Sequence, residues 1–283
     1  MTIIKIHPRN QGNGLGNGFF SNYRVCLEQL MHYHLRANVG IPYISWANTL
    51  WVDGFNPMEV RPFMSEVNPF DYWFDQEIPT REDVLITCTD KVGALIDHAE
   101  DYFNKPISLE YQQFIDQLYI KPHQYLLDSV EGIYNEQLKE HTVLGVMARG
   151  SEYNALHPQY GVFGIDDYIR EISKILEQNS DIDKLFLVSE ETEYVEKMHK
   201  AFPSSYFMPD VFRRTDETDE YINTIWFWPM VSTKRKDQCR LLGQEMIIQT
   251  KLLGKCDYLF GRHCGTLAGA VLWNENIKKV FKI

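Results

Sequence analysis

Cysteine is scarce in this chain, which has 283 residues and only five cysteines. Their odd number and wide spacing argue against a disulfide framework and against a metal-ligand cluster. Scattered single thiols are typical of small core residues in a reducing compartment. We therefore expect a cytoplasmic protein that holds no metal. The five positions are Cys26, Cys88, Cys239, Cys256 and Cys264.

Long apolar runs and an excess of basic residues are also missing. No apolar run approaches the roughly 20 residues needed to span a bilayer. The opening Met-Thr-Ile-Ile-Lys-Ile-His is typical of a first strand and not of a signal peptide. A formal net charge of -11 argues against a general nucleic-acid binder, although a local group of Arg and Lys could still bind a phosphorylated small ligand. These features predict no nucleic-acid partner and no integral membrane segment.

The common nucleotide-binding fingerprints are absent as well. Residues 10–18 hold four glycines and three asparagines between a predicted strand at 3–6 and a predicted helix from Phe19, but they match neither a P-loop nor G-x-G-x-x-G. Such a loop permits positive φ and close approach of a ligand, and the helix amino end favours an anion. A plain tight turn is the alternative. An NAD-dependent Rossmann enzyme is disfavoured, because no G-x-G-x-x-G with a ribose-binding acid follows either candidate strand.

The most informative stretch is residues 142–154, a short apolar run followed by polar residues. The run Val143–Ala148 predicts a strand buried on both faces of a parallel sheet. Arg149, Gly150, Ser151 and Glu152 follow it at once. In open α/β sheets the ligand crevice lies beyond the carboxyl ends of the strands, and Arg grips phosphate or carboxylate with a forked pair of donors. A surface Arg–Glu pair on an ordinary loop is the alternative.

Strands and helices alternate regularly from Val143 onwards, which predicts a parallel sheet with right-handed crossovers. Both halves begin strand–loop–helix, so we expect an α/β fold of two Rossmann-like domains facing each other across a central cleft. Residues 1–139 would form the N-terminal domain and residues 140–283 the C-terminal domain. Other predicted strands span 41–46, 84–89, 185–189, 205–208, 258–260 and 279–283, and other predicted helices span 166–178, 192–202, 241–253 and 267–273, with one or two helices in 107–139 broken at 121–122.

Aromatic residues concentrate in residues 46–74, where helical or strand periodicity is weak. Aromatic faces stack on sugar faces, so these side chains could floor a sugar site. Core and loop packing is the alternative for most of them. The residues concerned are Trp51, Phe55, Phe63, Phe70, Tyr72, Trp73 and Phe74.

Several segments, taken in order, resemble the fucosyltransferase superfamily, which includes the bacterial nodulation α-1,6-fucosyltransferases and related O-fucosyltransferases. Gly-Val-Met-Ala-Arg-Gly-Ser-Glu at 145–152 is similar to the family's strand ending in His-x-Arg-x-x-Asp, and 185–191 to its strand ending in acidic residues. Residues 244–266 are similar to its last helix, strand and Ser-rich turn. The Gly-Leu-Gly-Asn loop at 14–17 resembles that of related fucosyltransferases. The family's landmarks in the first domain are similar to Trp46, Asp53 and residues 68–74 of this chain.

The resemblance implies a GT-B fold, inverting transfer from a nucleotide sugar, and no cofactor or metal. By position, Arg149 would contact the donor phosphates, and Glu190 and Glu191 would lie near the donor. Cys264, Gly265 and Thr266 would supply hydroxyl or backbone donors to phosphate at a helix start. The complete set expected to bind the donor is Gly14, Gly16, Asn17, Met147, Glu190, Glu191, Gln249, Cys264, Gly265 and Thr266.

The sequence departs from the family at two positions that help to hold guanine. Where the family has a histidine before the arginine, this chain has Met147. Where the family has an acidic residue in the last long helix, this chain has Gln249, unless the alignment slips by one turn onto Glu245. The serine pair of the last turn is Cys264-Gly265. These departures leave the phosphate grip in place and put the base, and hence the sugar, in question.

We therefore expect a glycosyltransferase that moves a sugar, by default fucose from GDP-fucose, to a glycan acceptor in bacterial surface polysaccharide synthesis. The N-terminal domain would be the acceptor side and the C-terminal domain the donor side. Arg149 would be catalytic, with Glu152 or His157 as general base, although His157 could be a plain loop histidine. The alternatives are a non-catalytic nucleotide-sugar or glycan-binding protein with this fold, and a related transferase using another nucleotide sugar.

Overall fold

A computed structural model describes residues 2–6, 19–35, 41–46, 68–76, 84–87, 108–150, 154, 161–214, 235, 237–262, 264–274 and 276–283. The chain divides into two compact units. The first contains Met1–Leu126 and Pro229–Gln244, and the second contains Leu127–Trp228 and Glu245–Ile283. Residues 127–139, which the sequence analysis assigns to the N-terminal domain, thus belong to the second unit. The predicted acceptor and donor roles, and the cleft, stay predictions.

The first unit is built on a three-stranded parallel sheet with strand order β2-β1-β4. A separate antiparallel pair joins β3 to β5. The elements are β1 (Thr2–Ile6), α1 (Phe19–Leu35), β2 (Ile41–Ile44), a 3₁₀ helix (Pro69–Tyr72), β3 (Phe74–Asp75), β4 (Val84–Thr87), α2 (Leu109–Tyr119) and β5 (Lys121–Pro122).

Aromatic side chains form much of the core of this unit. Phe19, at the start of α1, packs edge-on against Trp46 and Trp73 with ring centroids 5.0 and 5.1 Å away. Phe70 stacks on Phe74 at 4.5 Å. Each of these five residues is at most 1% exposed, so Phe70, Trp73 and Phe74 are core residues and not the floor of a sugar site. Outside the described residues lie Trp51, Phe55 and Phe63.

A buried asparagine fastens the 3₁₀ helix to β2. Asn68 Oδ1 accepts from the N–H of Trp46 at 2.8 Å, and its Nδ2 donates to the carbonyl of Ile44 at 2.8 Å. The carboxylate of Asp71 accepts from Asn68 Nδ2 at 3.2 Å and from Gln76 Nε2 at 2.6 Å. The network satisfies polar groups that burial would otherwise leave unpaired.

The second unit is built on a four-stranded, wholly parallel sheet with strand order β7-β6-β8-β9. The α/β class with parallel sheets is thereby confirmed. The elements that complete the chain are α3 (Gln124–Gln137), β6 (Val143–Ala148), α4 (Ile165–Gln178), β7 (Lys184–Ser189), α5 (Thr192–Ala201), α6 (Gln238–Leu253), β8 (Tyr258–Gly261), α7 (Gly265–Leu272) and β9 (Lys279–Lys282).

Strand β6 is buried along its whole length because helices cover both faces of the sheet. Leu144, Val146 and Ala148 belong to the cluster that includes Tyr168 of α4. On the opposite face, a side chain at Gly145 would meet Leu253 of α6, so that helix packs there. This double coverage explains the continuous apolar run that predicted the strand.

The predicted elements within the described residues are confirmed apart from small differences. Residues 205–208 form no strand, because only Tyr206 bridges to Phe186 of β7. Helix α6 begins at Gln238 and not at Leu241. Helix α7 begins at Gly265 and not at Leu267, because Cys264 takes the extended conformation of an N-cap. The predicted break at 121–122 is the two-residue strand β5.

Candidate functional site

The strand order of the second unit defines where a ligand crevice should lie. From β6 the chain crosses to β7 on one side, returns past β6 to β8, and continues outward to β9. Ligands of open α/β sheets bind beyond the carboxyl ends of the strands where this direction reverses. Here the reversal falls between β6 and β8. Arg149 and Gly150 follow β6, and Arg262 and Cys264 follow β8.

Arg149 is held at its backbone and at its side chain. Its N–H donates to the hydroxyl of Tyr168 at 2.9 Å, and the N–H of Gly150 donates to Glu190 Oε1 at 3.0 Å. The same Glu190 oxygen lies 3.4 Å from Arg149 Nε, with the two side chains 24% and 11% exposed. Residues from β6, α4 and the end of β7 therefore fix a guanidinium that still reaches solvent.

The second carboxylate at this edge is packed against Gly150. A Cβ on Gly150 would lie closer than 3.0 Å to all three atoms of the Glu191 carboxyl group, so the close approach requires glycine. Glu191 Oε1 lies 3.8 Å from Nη1 of Arg214, whose side chain is 2% exposed. The backbones of Glu190 and Arg214 also pair, because the Arg214 N–H donates to the Glu190 carbonyl at 2.8 Å.

Helix α7 presents its amino end at the same edge. Cys264 is its N-cap, and Gly265 and Thr266 are its first two residues. Burial raises the pKa of the Cys264 thiol, and this effect outweighs the nearby charge of Arg149 and the N–H groups of Leu267 and Thr266, which favour the thiolate. The N-cap is therefore neutral near pH 7. A neutral cap leaves the positive amino end of the helix available to an anion.

A third arginine, Arg262, is almost completely buried directly after β8, with 2% exposure. Its Nη2 donates to the Gly161 carbonyl at 2.8 Å, and its Nη1 donates to Asn154 Oδ1. Burial raises the pKa values of Tyr168 and Tyr194, and the charge of Arg262 opposes this effect in both. Among the described residues, this edge thus combines three arginines with two glutamates.

Met147 and Gln249 lie on the α6 side of the sheet. Leu253 lies over Gly145. Gln249 precedes Leu253 by four helix residues, about 6 Å, and Met147 follows Gly145 by two strand residues, about 6.6 Å. Gln249 therefore lies near the level of Met147. Gln249 is 8% exposed and its Nε2 donates to the Glu245 carbonyl at 3.3 Å. Its Oε1 is buried and has no hydrogen-bond partner within the described part of the chain.

The structure brings together many of the residues that the sequence analysis singled out, whereas others fall where nothing is described. Arg149, Glu190, Cys264, Gly265 and Thr266 gather at the carboxyl edge, and Glu191 joins them. Met147 and Gln249 lie deeper along the same sheet. Outside the described residues are Gly14, Gly16, Asn17, Glu152 and His157.

The sequence analysis missed three residues of this edge. Arg262 follows β8 just as Arg149 follows β6, so the same strand-end rule would have found it. Tyr168 lies within the predicted helix at 166–178, where it has no predicted role in a site. Arg214 lies outside every predicted element, and its pairing with Glu191 has no local sequence signal.

Among the described residues, no three or more His, Cys, Asp or Glu side chains form a group that could hold a metal ion. None of the described helices has the length and apolar character needed to cross a bilayer.

Comparison with known proteins finds similar folds at low sequence identity. No protein-family model matches the chain, and no curated protein matches its sequence. The fold is similar to that of NodZ α-1,6-fucosyltransferase soaked with GDP-fucose, with TM-score 0.54 and 14% identity over 97% of this chain and 93% of that chain. The same enzyme co-crystallised with GDP gives TM-score 0.54 and 14% identity over 100% and 95% of the two chains. NodZ from Bradyrhizobium gives TM-score 0.52 and 14% identity over 100% and 95%.

At this level of identity the similarity establishes the fold. The chain has a fucosyltransferase-like α/β fold, and the predicted resemblance to that superfamily is confirmed at the level of the fold. The residues that would bind a donor stay a prediction.

Proposed function

We propose that the chain is a glycosyltransferase that binds a nucleotide sugar at the carboxyl edge of the β6–β9 sheet. The observation that carries the proposal is the placement of Arg149 beside the amino end of α7, at the point where the strand order reverses. A forked cation and backbone N–H groups at a helix start both bind phosphate oxygens, and this edge offers them together. The fold similarity to an enzyme that was solved with GDP and with GDP-fucose supports the same assignment.

The reaction would be an inverting transfer that needs no metal. An acceptor hydroxyl attacks the anomeric carbon from the face opposite the nucleotide, the bond from that carbon to the diphosphate oxygen breaks, and the hydroxyl proton passes to a general base. Arg149 and the first N–H groups of α7 stabilise the charge that develops on the leaving diphosphate. Preorganised groups of this kind supply a large part of enzymatic rate enhancement. Glu152 and His157 remain the candidates for the base.

Glu190 contributes in two ways under this proposal. Its Oε1 orients Arg149 and Gly150. Its Oε2 is buried and has no hydrogen-bond partner among the described residues. A buried carboxylate oxygen without a donor is costly, and a sugar or ribose hydroxyl of the bound donor would satisfy it.

Under this proposal, the chain would recognise the base of the nucleotide donor differently from the family. Met147 gives an apolar surface that can adapt its shape. Gln249 offers one buried acceptor, where the family's acidic residue would offer two to guanine's N1–H and amine. GDP-fucose is the default donor, and we propose a relaxed or altered base preference.

The wider setting of the proposal follows from the sequence analysis. The two units would act as Rossmann-like domains facing a cleft, with the glycan acceptor on the N-terminal side and the donor on the C-terminal side. The product would be a bacterial surface polysaccharide made in the cytoplasm. A non-catalytic nucleotide-sugar or glycan-binding protein is the alternative, and the Met147 and Gln249 departures favour it a little.

Ligand-dependent stability tests the binding part of the proposal. GDP, UDP, CDP and TDP would each be added at increasing concentration during thermal unfolding, because a ligand that binds only the native state raises the apparent Tm. We expect at least one of the four to raise Tm in a saturable manner. A Tm that none of them changes would contradict the proposed donor site.

A further inference from the structure

The side chain of Asn154 links the residues that precede α4 to the end of β6. Asn154 Nδ2 donates to the Phe163 carbonyl at 3.1 Å, and Asn154 Oδ1 accepts from the Phe163 N–H at 3.1 Å. The backbone N–H of Asn154 also donates to the Gly150 carbonyl at 3.4 Å. Asn154 therefore ties the start of α4 back to the residue that adjoins Arg149.

Arg262, directly after β8, binds Asn154 and Gly161. Its two terminal nitrogens donate to Asn154 Oδ1 and to the Gly161 carbonyl. Gly161 has φ +76°, a conformation that few residues other than glycine adopt, so its backbone is specialised at the point where its carbonyl accepts from Arg262. The planar guanidinium holds its two terminal donors in a fixed geometry, whereas the ammonium of lysine is a compact charge on a flexible stem, so lysine would not hold the two acceptors in the same arrangement.

These contacts connect the two elements that the proposed function assigns to the diphosphate. Arg149 and Gly150 lie at one end of the connection, because Asn154 bonds to Gly150. The N-cap of α7 lies at the other, because Arg262 precedes Cys264 by one intervening residue. The contact between Arg262 and Asn154, 108 positions apart, therefore adds a second connection between the ends of β6 and β8, which already pair in the sheet up to Met147 and Gly261.

We propose that Arg262 and Asn154 act as positioning residues that hold Arg149 and the amino end of α7 in register for one diphosphate. This inference rests on the proposed function. It assigns a role to two residues that would not touch the donor, since Arg262 is 2% exposed and its nitrogens are directed to Asn154 and Gly161. A displacement of about 1 Å in such a site is enough to weaken binding or turnover substantially.

A double-mutant cycle tests the proposal. Wild type, Arg262→Lys, Asn154→Ala and the double variant would be titrated calorimetrically with whichever of GDP, UDP, CDP and TDP binds the wild type most tightly. Asn179→Ala is the matched control, because Asn179 caps the other end of α4 and donates to the Ile175 carbonyl at 2.7 Å. Thermal unfolding of all five proteins would be recorded in parallel.

The expected result is a coupled loss of affinity. Each single variant should bind about tenfold more weakly, and the double variant at most about thirtyfold, where independent effects would multiply to about a hundredfold. Asn179→Ala should lower Tm and leave the dissociation constant within about twofold of wild type. A purely structural role would lower Tm in every variant without changing affinity.

Other outcomes would overturn the inference. Wild-type affinity in both single variants, or a double variant that shows the full product of the single effects, would show that the pair does not position the site. If Arg262→Lys does not fold, Asn154→Ala alone decides, because Asn154 is partly exposed and unchanged affinity there contradicts the proposal. A wild type that binds none of the four nucleotides would overturn the proposed function and this inference with it.

Discussion

Gly150→Ala is the substitution whose effect the structure specifies most closely. The new methyl group would lie closer than 3.0 Å to the carboxyl carbon and to both carboxyl oxygens of Glu191. Glu191 is 9% exposed, so its carboxylate cannot simply swing into solvent. Either the carboxylate leaves Arg214, which is 2% exposed and 3.8 Å away, or the backbone after β6 shifts.

The cost can be bounded from both routes. Breaking a buried ion pair costs about 3–5 kcal/mol, and the 3.8 Å separation indicates a loose pair at the lower end of that range. Backbone shifts from overpacking cost about 1–3 kcal/mol. The chain follows the less costly route, so we expect Gly150→Ala to reduce the free energy of unfolding by about 1–3 kcal/mol.

Gly132→Ala is the matched control. Gly132 lies within α3, and a Cβ there would meet no atom within 4 Å. Replacing a helix-interior glycine with alanine stabilises by about 0.5–1 kcal/mol. Equilibrium urea unfolding of the two variants should therefore give changes of opposite sign. A Gly150→Ala protein within about 0.5 kcal/mol of wild type would refute the packing argument.

Three further predictions concern the hydroxyl that holds Arg149, a partly buried carboxyl group and metal dependence. Tyr168→Phe removes the hydroxyl that accepts from the Arg149 N–H and should lower turnover about tenfold. The control is Tyr258→Phe, which loses only the 3.0 Å hydrogen bond to Asp181 at the opposite edge of the sheet and should lower Tm without changing turnover. Equal turnover in the two variants would contradict the positioning role of Tyr168. Burial raises the pKa of Asp71 in the folded protein. The protonated carboxyl group therefore stabilises the fold below the unfolded pKa of about 3.9. This contribution to the free energy of unfolding is lost as the pH rises through the folded pKa. The permanently neutral Asp71→Asn should therefore gain stability relative to wild type between pH 3 and pH 7, and unfolding curves that keep a constant difference would be evidence against this. Excess chelator should leave transfer activity unchanged, and a loss that magnesium or manganese restores would contradict the metal-free mechanism.

The sheet of the second unit could be predicted because its signals are local. A strand buried on both faces leaves a continuous apolar run such as Val143–Ala148, and the residue after it lies at the ligand edge whatever the rest of the chain does. That rule found Arg149. Applied to β8 it would also have found Arg262.

Pairings between distant segments could not be predicted in the same way. Glu190 and Arg149 meet because β6 and β7 are adjacent, and Arg262 and Asn154 meet across 108 positions of chain. Single-sequence patterns contain no record of such contacts. The start of α7 was misplaced for a different reason, since Gly265 is a poor helix former and the fold uses Cys264 as the N-cap.

Release of a nucleoside diphosphate from a nucleotide sugar, GDP-fucose first, tests the central claim most directly when wild type is compared with Arg149→Ala and Arg149→Lys. Loss of one key electrostatic group lowers turnover by roughly 10²-fold or more, and Lys lacks the fork that would rescue it. The account predicts measurable release by wild type, a loss of that size in Arg149→Ala, little rescue in Arg149→Lys, and an intact fold in both variants by circular dichroism. A wild type that binds nucleotide sugars but releases none would favour the non-catalytic alternative, and a folded Arg149→Ala protein with near-normal release would contradict the account.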